Sequence, residues 1–126
     1  MGRGPRRTLG ERGEKLAYRF LIAHGLRPIA RNFRRRGGEI DLIMLDRQCL
    51  TFIEVRLRQS GRFATPGETV DYRKQRKIVR TAALFLASER RFAQLRMRFD
   101  VIAIEGDGVD GIRWIRDAFR PDDSML

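Results

Sequence analysis

The sequence predicts an α/β domain in which a mixed β-sheet is covered by a helix on each face. Three observations lead to this fold class. Two segments with apolar residues at helical spacing are separated by runs rich in Ile, Leu, Val and Phe. Two of those runs follow each other after only four residues, which is the spacing of a hairpin. The length of 126 residues is that of one domain, so no second domain is expected.

The first helix is predicted to begin at Thr8 and to end before Gly25. Thr8 and Glu11 have the spacing of a capping box, in which two side chains satisfy free backbone N–H groups at a helix start. Gly25 suits the left-handed residue that often follows a helix. The apolar stripe consists of Leu16, Ala17, Phe20, Leu21 and Ala23. Residues 1–7 are interpreted as a flexible basic arm, because they offer nothing to bury.

A short strand and a hairpin are predicted next. Residues 27–33 form the short strand, and residues 34–38 form a basic loop that ends in glycine. Residues 39–45 and 50–57 are the two arms of the hairpin. Both faces of these arms carry apolar residues, so the hairpin is expected at the centre of the sheet with a layer on either side.

The second half of the chain is predicted to add one helix and two strands. The helix spans residues 69–90, and the strands span residues 98–104 and 112–115. The folded domain is therefore assigned to residues 8–119, followed by a disordered acidic tail at 120–126. The first half of the helix is strongly basic, and this run is either a solvated helix face or a phosphate-binding face.

The charge balance favours a polyanionic partner. There are 27 Lys and Arg residues against 16 Asp and Glu residues, which gives a formal net charge of +11 and a pI near 11.3. A domain this basic attracts nucleic acid, because binding releases counterions from the phosphate backbone. The excess of Arg over Lys suits bidentate phosphate contacts. A genome rich in G and C would also raise the Arg content, whatever the function.

Single cysteine and histidine residues argue against several kinds of site. Cys49 is the one cysteine, which leaves no internal disulfide or thiolate cluster and suits a reducing cytoplasm. His24 is the one histidine, which argues against a Ser–His or Cys–His hydrolase and a histidine-rich zinc site. No apolar run approaches the roughly 20 residues that span a bilayer. The expected location is cytoplasmic, without a membrane anchor.

The hairpin places acidic residues opposite one another. If residues 47–48 form a two-residue loop, positions whose numbers sum to 95 are paired. Asp41 then faces Glu54, and Glu39 faces Arg56. Regular alternation puts these four residues on one face of the sheet. Directly opposed like charges are destabilising, so the acidic pair requires an explanation.

Opposed carboxylates on a buried hairpin need compensation, since unpaired buried charge is costly. Three arrangements are open: one acid is protonated, Arg56 bridges the pair, or a cation lies between them. Mg²⁺ suits the composition best, because it takes one or two protein carboxylates together with phosphate oxygens. The plainer alternative is that these are solvated charges at strand ends. Glu14, near the start of the first helix, is an exposed glutamate by position alone.

Several motifs resemble those of the YraN family. The resemblance extends from about Glu11 to Trp114, and its most specific part is GEIDLI at residues 38–43 followed by FIEVR at residues 52–56. The other motifs are Gly13-Glu14-x-x-Ala17, Arg31-Asn32-x-Arg34, Lys74-Gln75 and Arg98-Phe99-Asp100-Val101-Ile102. That family is similar to the PD-(D/E)XK nucleases, in particular the archaeal-type Holliday-junction resolvases. The resemblance therefore implies a single restriction-endonuclease-like domain with an αβββαβ core.

The resemblance also implies roles for individual residues. Glu14, Asp41 and Glu54 take the positions of metal-binding acids, with Mg²⁺ or Mn²⁺ as the cofactor. Gln75 takes the position of a polar catalytic residue on the second helix. Arg56 stands where the superfamily usually has Lys. Because Arg effectively keeps its proton, Arg56 is expected to grip the scissile phosphate rather than to activate water.

The function implied is that of a metal-dependent endonuclease acting on DNA, including branched or junction DNA. The residues expected to contact nucleic acid are Arg34, Arg35, Arg36, Arg58, Arg73, Lys74 and Lys77. A non-catalytic nucleic-acid-binding module that acts with a partner DNA-processing protein is the main alternative, and a basic domain with a protein partner is another. Resolvases of this type commonly act as dimers, so a homodimer is also considered, although the sequence shows no interface signature.

Overall fold

The computed structural model of the chain describes residues 9–58, 70–106 and 109–125. Within these ranges, two α-helices and five β-strands follow one another along the chain. They are α1 (Leu9–Ala23), β1 (Arg27–Arg35), β2 (Gly38–Asp46), β3 (Cys49–Arg58), α2 (Tyr72–Ser88), β4 (Arg96–Glu105) and β5 (Ile112–Phe119). Three single turns of 3₁₀ helix lie at Arg90–Phe92, Val109–Gly111 and Asp123–Met125.

The strands form one mixed sheet in the order β1-β2-β3-β4-β5. Neighbouring strands are antiparallel except β3 and β4, which are parallel. Parallel neighbours need a long crossover connection, and α2 lies in the segment between these two strands. The α/β fold class is confirmed, and the observed order αβββαββ contains the αβββαβ core that the resemblance implied.

The register of the central hairpin is as predicted. Asp46 pairs with Cys49, so Arg47 and Gln48 form a two-residue loop. Pairing continues to Leu42 opposite Ile53, and each of these pairs sums to 95. Arg47 adopts a φ of +60°, which allows the chain to reverse without a glycine at this position.

Each face of the sheet is covered by one helix, as the apolar residues on both faces of the hairpin predicted. The face under α1 buries Leu42, Met44, Ile53 and Ile102. The face under α2 buries a larger group, which includes Ile40, Ile43, Leu50, Phe52, Ile78, Val79, Ala82, Phe85, Phe99 and Val101. The hairpin is therefore central, and charged residues on it are placed within a closely packed structure.

The ends of the elements differ from the prediction in several places. The second helix begins at Tyr72, because the Asp71 side chain accepts the backbone N–H of Lys74 and caps it there. The last strand continues to Phe119 rather than ending at residue 115. Residues 1–7 and Thr8, to which the flexible arm and the first helix cap were assigned, lie outside the described residues.

The predicted disorder of residues 120–126 does not agree with the structure at residues 123–125, and Leu126 lies outside the described residues. Asp123–Met125 form a turn of 3₁₀ helix, and the Met125 side chain is 2% exposed within the α2 core. The Tyr72 hydroxyl also contacts Asp122 and Ser124. The prediction failed because it rested on the acidic composition of the segment, whereas one buried apolar side chain holds the segment to the domain.

None of the helices described is both long enough and apolar enough to cross a bilayer. The longest is α2, which has 17 residues.

Candidate active site

Asp41 lies at the point where the two arms of the hairpin separate. The last backbone pair between β2 and β3 is Leu42 with Ile53, so Asp41 and Glu54 follow directly beyond the paired region. Instead of a ladder bond, the backbone N–H of Val55 donates to Asp41 Oδ2 over 2.7 Å. The carboxylate therefore occupies the gap between the strands and replaces part of their backbone pairing.

Strict alternation along β2 fails beside this residue. Ile40 and Ile43 pack in the same hydrophobic cluster under α2, whereas Leu42 and Met44 pack under α1. The break has a consequence for Glu39, which was predicted to share a face with Asp41 and Glu54 and to lie opposite Arg56. The structure places Glu39 beside both Asp41 and Glu14, so its position near Asp41 agrees with the prediction. Its ion-pair partner is Arg34 rather than Arg56, so that part of the prediction is wrong.

Asn32 joins the two glutamates. Its side-chain amide donates to Glu14 Oε1 over 2.8 Å and to Glu39 Oε2 over 3.2 Å. Asn32 has a φ of +50°, a left-handed conformation that Asn tolerates better than most residues. An irregular position on an edge strand thus directs one amide group at two carboxylates from different elements.

Three carboxylates converge at this point. One oxygen from each of Glu14, Glu39 and Asp41 lies within 4.8 Å of the other two. Burial, and then the negative charge of Glu54, raise the pKa of Asp41 to about 8, with smaller contributions from Glu14 and Glu39. The hydrogen bond from Val55 works in the opposite direction but does not outweigh them. Asp41 is therefore an acid whose charge is poorly compensated by the protein itself.

Glu54 is compensated differently. Its carboxylate is 6% exposed, and Oε2 lies 3.5 Å from Arg56 Nη1 and 3.5 Å from Lys74 Nζ. It does not belong to the group of three converging oxygens, although its charge acts on Asp41. Glu54 is thus compensated by two cations, whereas Glu14 and Glu39 share the Asn32 amide.

Close packing between α2 and β2 brings Lys74 to Glu54. A β-carbon on Gly38 would collide with the Thr81 hydroxyl and lie 3.2 Å from the carbonyl oxygen of Lys77. Thr81 is buried and donates to that same carbonyl over 2.8 Å. Glycine at the start of β2 therefore lets the helix lie directly on the strand, which places its N-terminal turns beside the acids.

A model of the uncharacterised protein family UPF0102 matches residues 13–104. The chain belongs to the UPF0102 family. This is the family called YraN, so the resemblance read from the motifs is confirmed. The matched range includes Glu14, Asp41, Glu54 and Arg56.

Individual UPF0102 proteins match most of the chain. A relative from Xanthomonas campestris pv. campestris is 46% identical over 118 residues, which cover 94% of this chain and 96% of the relative. One from Pseudomonas entomophila is 43% identical over 112 residues, with 87% and 91% covered. One from Saccharophagus degradans is 44% identical over 110 residues, with the same coverage. The domain described above is therefore nearly the full length of these family members.

The remaining predicted site residues are only partly brought to the carboxylates. Gln75 donates to the backbone carbonyl of Val70 over 2.9 Å, which ties the start of α2 to the preceding chain. Arg34 pairs with Glu39 at 3.2 Å. Arg35 lies over the Phe33 ring, at 4.1 Å from its centroid. The side chains of Arg36, Arg73 and Lys77 are exposed, whereas the side chain of Arg58 lies outside those described.

Two residues of the site were not selected as site residues from the sequence. Asn32 appeared in the family motif Arg31-Asn32-x-Arg34 without an assigned role, and Glu39 was expected to face Arg56. The sequence indicated them only in that both are polar residues inside or beside predicted strands. Only the positive φ of Asn32 and the broken alternation at Ile40 bring them to Glu14.

Proposed function

We propose that this UPF0102 protein is a metal-dependent endonuclease that hydrolyses phosphodiester bonds in DNA. The observation that carries the proposal is the convergence of Glu14, Glu39 and Asp41 beside Glu54, with the pKa of Asp41 raised to about 8. Perturbed acids of this kind cluster at functional sites. The free Cys49 suits a reducing compartment, so the proposed place of action is the cytoplasm.

A hard divalent cation fits this set of residues. All the candidate ligand atoms are carboxylate oxygens, which Mg²⁺ and Mn²⁺ prefer over nitrogen or sulfur. Like charges crowded in a partly buried site are unfavourable unless a positive charge joins them. We assign Asp41 as the central ligand, with Glu14, Glu39 and Glu54 as the surrounding acids. A bound divalent cation would supply Lewis acidity toward a phosphate oxygen and toward a water molecule.

The protein's own groups would orient the reactants. The Val55 N–H fixes the direction of Asp41, and Asn32 fixes the two glutamates on the α1 side. Arg56 lies beside Glu54 with about a third of its side chain exposed, so it is available to a phosphate. Its guanidinium stays protonated and would stabilise negative charge that develops on the phosphate.

Lys74 brings a lysine to the site, although Arg56 occupies the position at which the superfamily usually has Lys. The superfamily resemblance places a Lys two residues after the acid, and this chain has Arg56 there. The structure brings Lys74 from α2 to 3.5 Å from the same acid, Glu54. Because lysine changes its pKa readily when its surroundings change, Lys74 is the better candidate than Arg56 for a proton-transfer role.

Surface charge supports a nucleic-acid substrate. Arg36, Arg73 and Lys77 are exposed, and the chain carries a net charge of +11. Such a surface attracts the phosphate backbone through a salt-dependent, sequence-independent interaction. DNA, including branched DNA, is the substrate that we propose on the basis of the family's likeness to PD-(D/E)XK nucleases.

The test is cleavage of labelled duplex, flap and junction DNA by the purified chain in Mg²⁺ or Mn²⁺. We expect cleavage that EDTA abolishes and that Asp41→Asn reduces at least about a thousandfold, in line with the loss of an essential charge-stabilising group. Glu89→Gln removes an acid outside the site and should leave the rate unchanged. The absence of cleavage on all three substrates, or equal rates for both variants, would contradict the proposal.

A non-catalytic nucleic-acid-binding module is the second candidate. The ion pairs of Glu54 with Arg56 and Lys74 favour it, since they already neutralise one of the acids without a metal. This alternative predicts salt-sensitive DNA binding without turnover. It also predicts that Glu54→Gln leaves DNA binding unchanged or strengthens it, because the variant removes a negative charge between two cations.

A further inference from the structure

A second group of positive side chains lies at the hairpin-turn end of the sheet, away from the carboxylates. It lines an open cavity of about 570 Å³ that is formed where α1 ends, at the β2–β3 turn and on strands β4 and β5. The lining residues are His24, Gly25, Asp46, Arg47, Arg98 and Arg116. We call this cavity the Arg47–Arg116 pocket. Its size is within the range of roughly 300–1,000 Å³ that is common for ligand sites.

The positive charge of the pocket is only partly neutralised. Arg98 donates to Asp46 over 2.8 Å and to the fully buried Asp100 over 2.8 Å, so its charge is taken up by these two aspartates. Arg47 and Arg116 have no ion-pair partner in residues 9–58, 70–106 and 109–125. Two guanidinium groups from different elements therefore remain available to an anion.

These groups are held in place by their neighbours. The Arg116 guanidinium stacks on Trp114, 3.8 Å from the centroid of its ring system. The Trp114 indole N–H donates to Asp100 over 2.9 Å, which fixes the ring. His24 Nδ1 donates to the carbonyl oxygen of Phe20 over 2.8 Å, which fixes the ring at the edge of the pocket. A site with fixed donors loses less conformational entropy when it binds.

We propose that the Arg47–Arg116 pocket binds a backbone phosphate of the nucleic acid, at a distance from the phosphodiester that reacts. This inference rests on the proposed function. The planar fork of arginine matches phosphate oxygens bidentately and is more weakly hydrated than an ammonium group. Arg116 is stacked on Trp114, and Arg47 lies in the β2–β3 turn. Two such arginines beside one open cavity suit a phosphate group better than an uncharged, apolar ligand.

The spacing along α1 agrees with this role. Glu14 and His24 are ten positions apart, which is about 15 Å at a rise of 1.5 Å per residue. Arg31 contacts the helix between these two positions, with its guanidinium 4.3 Å from the centroid of the Tyr18 ring. Phosphates of one strand in a duplex are about 3.4 Å apart along the axis, so the two sites would be about four phosphates apart.

Two intrinsic reporters allow a direct test. Trp114 is the single tryptophan and His24 the single histidine of the chain. Tryptophan fluorescence and the histidine ring resonances therefore each report one position beside the pocket. The full chain is titrated in EDTA, at constant ionic strength, with inorganic phosphate and with a short single-stranded oligonucleotide. We expect both reporters to change saturably, with tighter binding of the oligonucleotide.

The decisive variant removes both available arginines. Arg47→Gln with Arg116→Gln should weaken binding of both probes about tenfold or more, because charge-assisted contacts to phosphate are lost. Arg19→Gln with Arg113→Gln removes the same charge from exposed positions that do not line the pocket, and should change the affinity no more than about twofold. Arg116→Lys keeps the charge but not the planar stack, and should retain an intermediate affinity.

The outcomes separate this inference from the proposed function. Equal losses in the two double variants would mean general charge attraction and would overturn the pocket. Saturable binding of inorganic phosphate that the oligonucleotide does not displace would overturn the nucleic-acid assignment. The titration needs neither metal nor cleavage. If the chain binds the probes at the pocket but cleaves no DNA, only the proposed endonuclease function is contradicted. If the chain cleaves DNA but neither reporter changes saturably, only the proposed phosphate site in the pocket is contradicted.

Discussion

Two aspartates at the same level of the sheet, one on β4 and one on β2, have very different surroundings. Asp100, in the middle of β4, is fully buried and accepts from Arg98 Nε and Nη2, from the Trp114 indole and from the backbone N–H of Asp117. Asp41, on β2, accepts from one backbone N–H and lies among other carboxylates. Both are acids within the same sheet, yet only the first has its charge compensated by the protein.

The comparison shows that burial alone does not mark a functional acid. A buried acid surrounded by donors is explained by the fold, since every lone-pair direction has a partner. A partly buried acid surrounded by other acids is not explained by the fold, because the arrangement costs stability unless something outside the chain joins it. Four changes to the chain or its conditions test this contrast and its consequences for binding.

Removing the cation that compensates Asp100 should have the largest effect on stability. We expect Arg98→Met to lower the free energy of unfolding by about 3–5 kcal/mol, because Asp100 and Asp46 lose their ion-pair partner. Urea denaturation measures the change. Arg91→Met, which breaks the exposed pair with Glu89, should cost no more than about 1 kcal/mol. Similar losses in both variants would mean that the Arg98 network is not special.

Because of Asp41, the stability of the chain without metal should fall as the pH rises. The folded-state pKa of Asp41 is raised to about 8, from an ordinary value of 3.8. Between these values the folded chain keeps a proton that the unfolded chain has released. The unfolding free energy then decreases with pH, by at most ~1.4 kcal/mol per pH unit. Denaturation of the chain in EDTA, repeated across this range, measures the slope.

Asp41→Asn is the matched variant for this pH dependence. It removes the titrating group while keeping an oxygen that accepts from Val55, so the slope should become shallower and the stability near pH 8 should rise. Glu89→Gln is the control and should reproduce the wild-type slope. Identical slopes for all three proteins would show that the surroundings of Asp41 do not hold its proton.

Loss of the Asn32 amide should affect the metal site more than the fold. Groups that orient metal ligands typically change metal affinity about tenfold to a hundredfold when removed. We expect Asn32→Gly to weaken Mn²⁺ binding about tenfold, measured by calorimetry, because Glu14 and Glu39 lose their shared donor. Glycine tolerates the φ of +50°, so stability should change little. Unchanged Mn²⁺ affinity would leave Asn32 with a structural role alone.

Asn32→Ala separates backbone strain from the loss of the amide. Alanine also lacks the donor but disfavours a left-handed φ, at a cost of about 1–2 kcal/mol. We therefore expect Asn32→Ala to match Asn32→Gly in Mn²⁺ affinity and to be less stable in urea. Full Mn²⁺ affinity in the alanine variant would contradict the orienting role.

The smallest effect concerns the surface of α2. Arg73→Gln with Lys77→Gln should weaken DNA binding similarly for different sequences and lower the slope of log K against log salt by about two. Fluorescence anisotropy at several salt concentrations measures the slope. Arg90→Gln with Arg91→Gln, beyond the C-terminal end of α2, should leave the slope nearly unchanged. Equal slopes for the two double variants would assign α2 a solvated face rather than a phosphate contact.

Local patterns in the sequence were sufficient for the fold class, both helices and the register of the hairpin. The two-residue loop at Arg47 and Gln48 sets which residues pair, and continuous apolar runs require a layer on each face. These features depend on neighbours along the chain, so the sequence contains them directly. The acids Asp41 and Glu54 followed from the same register, as did the expectation that their charges need compensation.

Only the tertiary structure decided which acids meet. The irregular backbone at Asn32 and the break in alternation at Ile40 turn Glu39 toward Glu14. Neither irregularity can be predicted from the regular two-residue alternation of side chains along a strand. Close packing at Gly38 brings Lys74 to Glu54, and one apolar side chain, Met125, orders a tail of acidic composition. The sequence alone determined the elements and their charges, because these arise from local periodicity. Long-range packing determined the site, because it depends on small departures from that periodicity.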